Sequence, residues 1–221
     1  MMAVVKSRGR PARISVESIV QAALAIVESE GFDALTARRV AHALQTSPMA
    51  IYRHVTDKDA LSVMVLDAMY KRFPVPRLPR DPRKRLMVLF GHLHDALQRC
   101  PWVVHALLRS DITAPSVMPE MEAIMQAFAD CGASDAEAVA GFRLVWAHIV
   151  GDVLTREVLE RRAQGARSVV IKTIAALDAR RFPAMARAAR LWSRRPSSAS
   201  FKKAMSALID TALSSFSGGA L

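Results

Sequence analysis

One short stretch of this chain, P-M-A-I-Y-R-H-V at residues 48–55, combines side chains that suit contact with base-pair edges. Ile51 and Val55 are four residues apart, so on a helix they share the inner face. Three residues then point the opposite way: Met49, Ala50 and Arg53. A guanidinium can pair bidentately with guanine O6 and N7, whereas methionine and alanine offer only apolar contact, for instance to a thymine methyl. The spacing therefore favours a DNA-reading helix whose main reader is the arginine.

Tyr52 and His54 flank this outward side. We interpret His54 as a further base-facing residue and Tyr52 as a phosphate-binding residue, which positions the helix without reading sequence. The alternative is that both rings pack within their own small domain. Arg53 likewise has an alternative as an ordinary surface cation.

The elements that must position these side chains are two short helices joined by a tight turn. Thr36 can cap the first helix, and Gln45 with Thr46 forms the turn. Ser47 followed by Pro48 is a second start signal. At ~1.5 Å per residue, a second helix of about eight residues would span roughly 12 Å, which the major groove accepts. This is a helix-turn-helix with the second helix as reader.

Three runs, L-T at residues 35–36, P-M-A-I-Y-R-H-V at 48–55 and K-D-A-L at 58–61, resemble the DNA-binding domain of the TetR family of bacterial transcriptional regulators. The resemblance covers about residues 10–70 of this chain. Gln45 departs from it, because the family commonly has glycine at that turn and a non-glycine residue at positive φ is strained.

The resemblance adds roles that spacing alone does not provide. It implies that Pro48 lies at the groove, that Lys58 meets a phosphate, and that Arg38 touches the edge of the DNA, while Arg39 is a solvated charge. The predicted DNA-binding set is then Arg38, Ser47, Pro48, Met49, Ala50, Tyr52, Arg53, His54 and Lys58.

Composition is compatible with this function. The 31 basic and 20 acidic residues give a net charge of +11, which favours an anionic partner such as nucleic acid or a lipid surface, although an inert basic surface has the same composition.

No run reaches the roughly 18 uninterrupted apolar residues of a membrane span, and we expect a cytoplasmic protein without membrane contact. Cys100 and Cys131 are expected to be small buried hydrophobes, with a redox switch as the alternative.

Four segments follow from the chain in order. Residues 1–13 form a flexible basic arm, in which Arg8, Arg10 and Arg13 either reach phosphate or the minor groove or are simply solvated. Residues 14–72 form the helix-turn-helix domain. Residues 73–82 contain four prolines and are expected to be an extended linker. Residues 83–221 form a larger helical domain, so the predicted fold is all-α.

The larger domain contains one long helix, predicted from a capping box at Ser134 and Glu137 to about Arg162. Gly151 in its middle costs ~1 kcal/mol of helix propensity, and a close helix crossing would explain its presence. The run H-I-V-G-D-V-L-T-R-E and the last helix resemble the ligand-binding and dimerisation half of the same family. By that resemblance, dimer contacts involve Gly151, Leu154 and Leu208.

An effector pocket for an apolar or amphipathic small molecule is also implied by the resemblance. Side chains that could line it, or could simply be core, are Met121, Met125, Phe128, Phe142 and Trp146. Because some members of the family bind a metal-complexed drug, four histidines are considered as metal ligands, namely His92, His94, His105 and His148. Since His92 and His94 diverge by about 160° on a helix, we expect no metal and no cofactor.

Neither a phosphate loop nor a nucleophile with a placed base is present in the sequence, so no catalytic residue is predicted.

The sequence therefore predicts a two-domain, homodimeric regulator, most simply a repressor that binds a palindromic operator in double-stranded DNA and is released by a small-molecule effector. The alternative from another class is a helical adaptor whose basic faces bind an acidic protein. Neither effector identity nor operator sequence follows from the residues.

Overall fold

The computed structural model describes residues 14–163, 169–192 and 197–216, and within these ranges it is all-helical, as predicted. The predicted basic arm, residues 1–13, lies outside the described residues. The helices are α1 (Val16–Glu30), α2 (Ala37–Ala43), α3 (Pro48–Tyr52), α4 (Lys58–Tyr70), α5 (Pro82–Arg99), α6 (Trp102–Arg109), α7 (Met118–Asp130), α8 (Asp135–Ala163), α9 (Val169–Ala175), α10 (Pro183–Trp192) and α11 (Ser198–Phe216). Short 3-10 turns occur at Phe32–Ala34 and Pro115–Val117.

The described chain packs as two compact units. The first unit extends to Arg72 and also includes Ala106–Ala114, and the second contains Phe73–His105 and the chain from Pro115 onwards. Each domain boundary proposed from the sequence remains a proposal, and the grouping of Ala106–Ala114 with the first unit was not anticipated from the sequence.

The first four helices begin at side-chain caps, as predicted. Ser15, Thr36, Ser47 and Asp57 each accept a hydrogen bond from the backbone N–H three residues later. Each cap satisfies an N–H group that the helix leaves without a partner. Residues at helical spacing then fill the core of the first unit: Ile19, Leu24, Val40, Ile51, Leu61 and Val65 are each at most 1 % exposed. Through Ile51, α3 is packed against this core.

The turn between α2 and α3 is built around Gln45, whose φ is +51°. The Gln45 N–H donates to the His42 carbonyl, and the Thr46 N–H donates to the Ala41 carbonyl over 2.9 Å. This pair of bonds is the Schellman ending of a helix, in which glycine is the usual residue at positive φ. The structure therefore has a regular turn, formed despite a strained residue.

In the second unit, α5 begins at Pro82 after Asp81, whose carboxylate accepts a hydrogen bond from the Lys84 N–H over 2.8 Å. Residues 74–79 before it have no regular structure, as the prolines predict. The Ser134–Glu137 capping box is present at the start of α8. Buried apolar side chains of α5, α7, α8 and α11 form the core, including Leu89, Phe90, Phe128, Ile149 and Ile209.

Within the described chain, a close helix approach on α8 occurs at Gly141. A Cβ atom at Gly141 would lie 2.9 Å from Cε1 of Phe128 and 3.4 Å from Cβ of Ala212, so only glycine fits between α7 and α11. A Cβ atom at Gly151 would have nothing within 4 Å among the described atoms of its own chain. A close crossing at Gly151 therefore stays a prediction, and it would involve a helix of another subunit.

Residues Asp135–Arg161 of α8 are long and apolar enough to cross a membrane by length and composition. This is weak evidence, since the core helix of a soluble protein passes the same test. In α8 the Asp152 carboxylate also accepts a 2.6 Å hydrogen bond from Arg156 and lies 2.8 Å from His94. Charged groups of this kind rarely occur on a lipid-facing helix.

Candidate nucleic-acid interface

The outward side of α3 is exposed, while its inward side is anchored. Ile51 is 0 % exposed and Val55 is 4 % exposed, whereas Met49 is 69 % and Tyr52 is 51 % exposed. Arg53 and His54 are also exposed. Methionine and tyrosine in the open gain nothing for the stability of a monomer, so this side is available for a partner.

The reader helix is shorter than the sequence suggested. It has five residues, Pro48–Tyr52, and not about eight, because Arg53 is its C-cap. The Arg53 backbone still has helical angles, φ −71° and ψ −19°, and the His54 and Val55 N–H groups both donate to the Ile51 carbonyl. The backbone therefore continues to turn, and the arginine stays beside the exposed helical side chains.

Ion pairs separate the cations of the first unit into two groups. Arg39 pairs with Glu30, with 2.5 Å between Nη2 and Oε1, and Arg72 pairs with Glu28. Arg38 and Arg53 are exposed and, among the described residues, have no carboxylate within ion-pair distance. An unpaired guanidinium can bind phosphate or a base edge without first breaking a salt bridge. Arg39 is thus a paired charge and not the solvated one expected.

Lys58 is exposed at the first residue of α4, with Nζ 5.7 Å from the centre of the Phe32 ring. A helix N-terminus favours bound phosphate, because its N–H groups and its dipole face an approaching anion. Beside it, the backbone N–H of Ala60 and the hydroxyl of Thr56 hold the pKa of the Asp57 cap below its usual value. Lys58 is therefore compatible with a phosphate contact outside the base-reading side of α3.

In the second unit, three of the five residues named for an effector pocket belong to one aromatic cluster. Phe128 is fully buried, Phe142 lies 6.0 Å from Phe90, and Trp146 stacks on Phe142 at 6.0 Å. Met121 and Met125 are half-buried on α7. Their role as pocket lining remains a prediction.

The three residues named for dimerisation lie on α8 and α11. Gly151 is exposed, and Leu154 and Leu208 are half-buried. An exposed glycine on a long apolar helix permits close approach of another helix. Its face is therefore suited to a partner subunit.

Each of three histidines lies beside a carboxylate. His92 contacts Glu120, His94 contacts Asp152, and His105 Nε2 is 2.7 Å from Glu157. His94 and His148 both stack on the Phe201 ring, with ring centroids 3.5 and 4.9 Å from that of Phe201, respectively. Within the described residues no group of three or more His, Cys, Asp or Glu side chains is placed to hold a metal ion.

Sequence reasoning missed the buried pair of His92 and Glu120. The two Glu120 oxygens lie 2.9 and 3.0 Å from His92 Nδ1, and Glu120 is only 1 % exposed. Burial raises the pKa of Glu120 to about 8, and burial also lowers the pKa of His92. Burial therefore favours the neutral form of each group. An acidic residue in the first turn of a helix ordinarily indicates an exposed position, so no local signal identified this pair.

Two family models match this chain. One describes bacterial regulatory proteins of the tetR family and matches residues 19–63, and the other describes the tetracyclin repressor-like C-terminal domain and matches residues 75–211, more than half of the chain. The first match includes all of α2 and α3, and the second includes α5, α7 and α8.

Relatives agree with these matches. The HTH-type transcriptional repressor DrrR1 of Streptomyces coeruleorubidus is 29% identical over 147 residues, which are 66% of this chain but only 54% of DrrR1. An HTH-type transcriptional regulator of Saccharopolyspora erythraea is 27% identical over 184 residues, 82% of this chain and 77% of that regulator. The fold is similar to that of ActR from Streptomyces coelicolor in complex with actinorhodin, with a TM-score of 0.78 at 23% identity, covering 95% of this chain and 100% of ActR.

These matches favour DNA over an acidic protein as the partner of the helix-turn-helix. The exposed α3 side chains lie inside the segment that matches the model of bacterial regulatory proteins of the tetR family. The chain belongs to the TetR family and is a DNA-binding transcriptional regulator.

Proposed function

We propose that the protein represses transcription by binding a palindromic DNA operator as a homodimer, and that a small-molecule effector releases it. The observation that carries this proposal is the α3 surface. Its exposed Met49, Tyr52 and Arg53 surround a helix anchored by buried Ile51 and Val55. A rigid inner face and a chemically varied outer face are what a major-groove reader needs.

The proposed contacts divide into reading and positioning. Arg53 reads guanine, His54 lies at a base edge, and Met49 and Ala50 make apolar contacts. Tyr52, Lys58 and Arg38 bind the DNA backbone and fix the register of the helix. Ser47 and Pro48 complete the site, since together they begin α3 at the groove.

We assign dimerisation to α8 and α11. Gly151 and the half-buried Leu154 and Leu208 support this, because their helices retain apolar surface that their own chain does not cover. A two-fold axis then repeats the reader helix, with the copies about 34 Å apart in successive major grooves. One α3 alone would contact too few base pairs for a specific site.

Effector release follows from ordinary linkage. The effector must bind more tightly to the dimer whose readers are wrongly spaced, and DNA must weaken effector binding by the same factor. The ActR structure in complex with actinorhodin supports a small-molecule effector, and its apolar or amphipathic character stays the prediction made from the sequence. The aromatic cluster of Phe128, Phe142 and Trp146, with Met121 and Met125 beside it, is the pocket proposed from the sequence. Repression of transcription also implies that the protein acts in the cytoplasm.

The test is a mobility-shift titration of the full-length protein with DNA from its own promoter region, followed by footprinting of any bound fragment. We expect tight binding of one fragment and protection of two half-sites related by inverted symmetry. Equal affinity for this fragment and for random DNA of the same length would contradict a sequence-reading repressor. A single protected half-site bound by one subunit would contradict the dimer.

A further inference from the structure

A groove in the second unit runs along α5, on the side where the proline-rich segment and α11 contribute side chains. Its volume is about 360 Å³, and its lining includes Met87, Val88, His92, Asp95, Lys202 and Met205. This volume lies within the range of sites for small organic molecules. None of the five residues predicted for the effector pocket lines this groove.

The floor of the groove is apolar. Met87 and Val88 are half-buried and Met205 is 1 % exposed, so a flat apolar molecule would contact chiefly one flexible thioether and a branched side chain, with Met205 at the closed side of the groove. Thioether side chains adapt to ligands of different shape. The same Met87 and Val88 also border an adjoining, more open region of about 570 Å³, so the apolar strip continues along α5.

The charges around this strip are mainly positive. Lys202 lines the groove, and Arg77 and Lys84 line the adjoining region. Among the lining residues of the two regions, the acidic side chain is Asp95, which lies in the groove. Glu120 lies behind His92 and is buried, and because burial raises its pKa to about 8 it does not offset these cations at neutral pH. The electrostatic environment therefore favours an anion over a cation.

We propose that this groove binds an amphipathic organic anion, a flat apolar molecule with one carboxylate or sulfonate, which places its apolar body on Met87, Val88 and Met205 and its charge beside Lys202. This inference rests on the proposed function, since it makes the groove an effector site of the repressor. To that function it adds a second binding site for an effector and the chemical class of its ligand. Small-molecule sites combine an apolar lining with a few placed polar groups, and this groove has both.

Gly91 offers a direct way to fill the groove. It lies on α5 among the lining residues, and a Cβ atom there would have no heavy atom within 4 Å. Gly91→Leu therefore places a side chain in open space and replaces a poor helix former with a good one. The variant is expected to fold with an unchanged or higher Tm.

The probes are two dyes of similar shape, 8-anilinonaphthalene-1-sulfonate and the uncharged N-phenyl-1-naphthylamine, titrated into the full-length protein and followed by fluorescence. Gly91→Leu should lower the affinity for both dyes by about tenfold or more, because it removes the shared apolar surface. Unchanged affinity for both dyes in this variant would place them elsewhere and overturn the proposal.

Lys202→Gln tests the charge, with Lys203→Gln as the matched control, since Lys203 is exposed on the same helix and does not line the groove. Lys202→Gln should weaken binding of the sulfonate dye about three- to fivefold and leave the uncharged dye within error. Lys203→Gln should change neither. An equal loss for both dyes, or equal losses in both variants, would contradict the anion preference.

Operator binding without dye separates this proposal from the proposed function. Gly91→Leu and Lys202→Gln should both bind operator with wild-type affinity, and the sulfonate dye should release wild-type protein but not Gly91→Leu. Failure of every variant and of wild type to bind a specific DNA would refute the repressor while leaving the dye results interpretable. Dye binding in the groove without any effect on a bound operator would refute the effector role of the groove.

Discussion

Arg53 is the residue that we propose as the main reader of the base sequence. Its side chain is exposed at the end of α3 and has no carboxylate partner among the described residues. Arg53→Ala should cost roughly 1 to 3 kcal/mol of operator binding and should flatten the preference among operator variants, because a bidentate base contact is lost. A titration against single-base operator variants measures both effects. An unchanged order of preference would remove Arg53 from the reader.

Lys58 lies at the start of α4, and we propose that it binds a phosphate and not a base. Lys58→Ala should weaken binding to operator and to random DNA alike, and should reduce the slope of log affinity against log salt by about 1. Lys71→Ala is the control, because Lys71 lies just past the other end of α4 and pairs with Asp67 over 2.6 Å. A loss confined to the operator would assign Lys58 a base contact instead.

Glu120 predicts a pH dependence of stability. Its folded pKa of about 8 lies above the ordinary value of 4.5, so between these pH values the folded state holds a proton that the unfolded state has released. The free energy of unfolding should therefore fall as pH rises toward 8, by at most roughly 1.4 kcal/mol per pH unit. Burial lowers the pKa of His92, so the unfolded state binds its proton near and below pH ~6.5 and opposes this slope only there; well above that pH His92 is neutral in both states.

Urea unfolding at intervals between pH 6.5 and 8.5 measures the slope. Glu120→Gln keeps the shape of the side chain and removes the titrating proton, so the variant should have a flatter profile. Glu122→Gln, an exposed position on the same helix, should retain the wild-type slope. A wild-type profile that rises across this range would show that Glu120 is ionised in the folded protein.

At the scale of elements, the α2–α3 turn has the hydrogen bonds of a Schellman ending but has glutamine where glycine is usual. Gln45 at φ +51° bears a steric cost that glycine avoids, although glycine also loses more backbone entropy on folding. Gln45→Gly should therefore raise the free energy of unfolding by about 0.5 to 1 kcal/mol, measured by urea denaturation. Gln98→Gly within α5 is the contrasting variant and should destabilise the protein, since φ there is helical. A loss of stability in Gln45→Gly would mean that the turn is unstrained.

At the scale of the whole molecule, substitutions at two glycines of α8, Gly141 and Gly151, test folding of the subunit and formation of the dimer separately. Gly141→Val forces atoms into Phe128 and Ala212 and should cost roughly 1 to 3 kcal/mol of stability. Gly151→Leu meets nothing in its own chain, so it should leave the subunit folded and weaken the dimer. Sedimentation and circular dichroism measure the two effects. An intact dimer in Gly151→Leu at nanomolar concentration would exclude Gly151 from the interface.

The length and composition of α8 also belong to this scale. Most of the apolar stretch of α8 is not buried by its own chain. A helix with apolar residues on several sides needs neighbours on several sides. In the proposed dimer, the second subunit supplies that neighbour. Loss of the dimer should therefore abolish operator binding even where α3 is intact.

Local signals in the sequence determined the helical class, the caps and the orientation of α3. A cap depends on one side chain and an N–H three residues away, and the face of a short helix depends on the spacing of Ile51 and Val55. These interactions span a few residues, so periodicity and start signals contain them. The end of α3 at Tyr52 was not predicted, because no proline or glycine marks it.

Contacts between distant residues were decided only by the tertiary structure. Glu120 and His92 are 28 positions apart, and their contact and their shifted pKa values depend on burial that no local pattern records. Likewise, Gly141 and Gly151 look alike as glycines in one helix, but only packing places Phe128 against the first and open space beside the second. The groove along α5 has the same origin, since α11 brings Lys202 and Met205 to it from the far end of the chain.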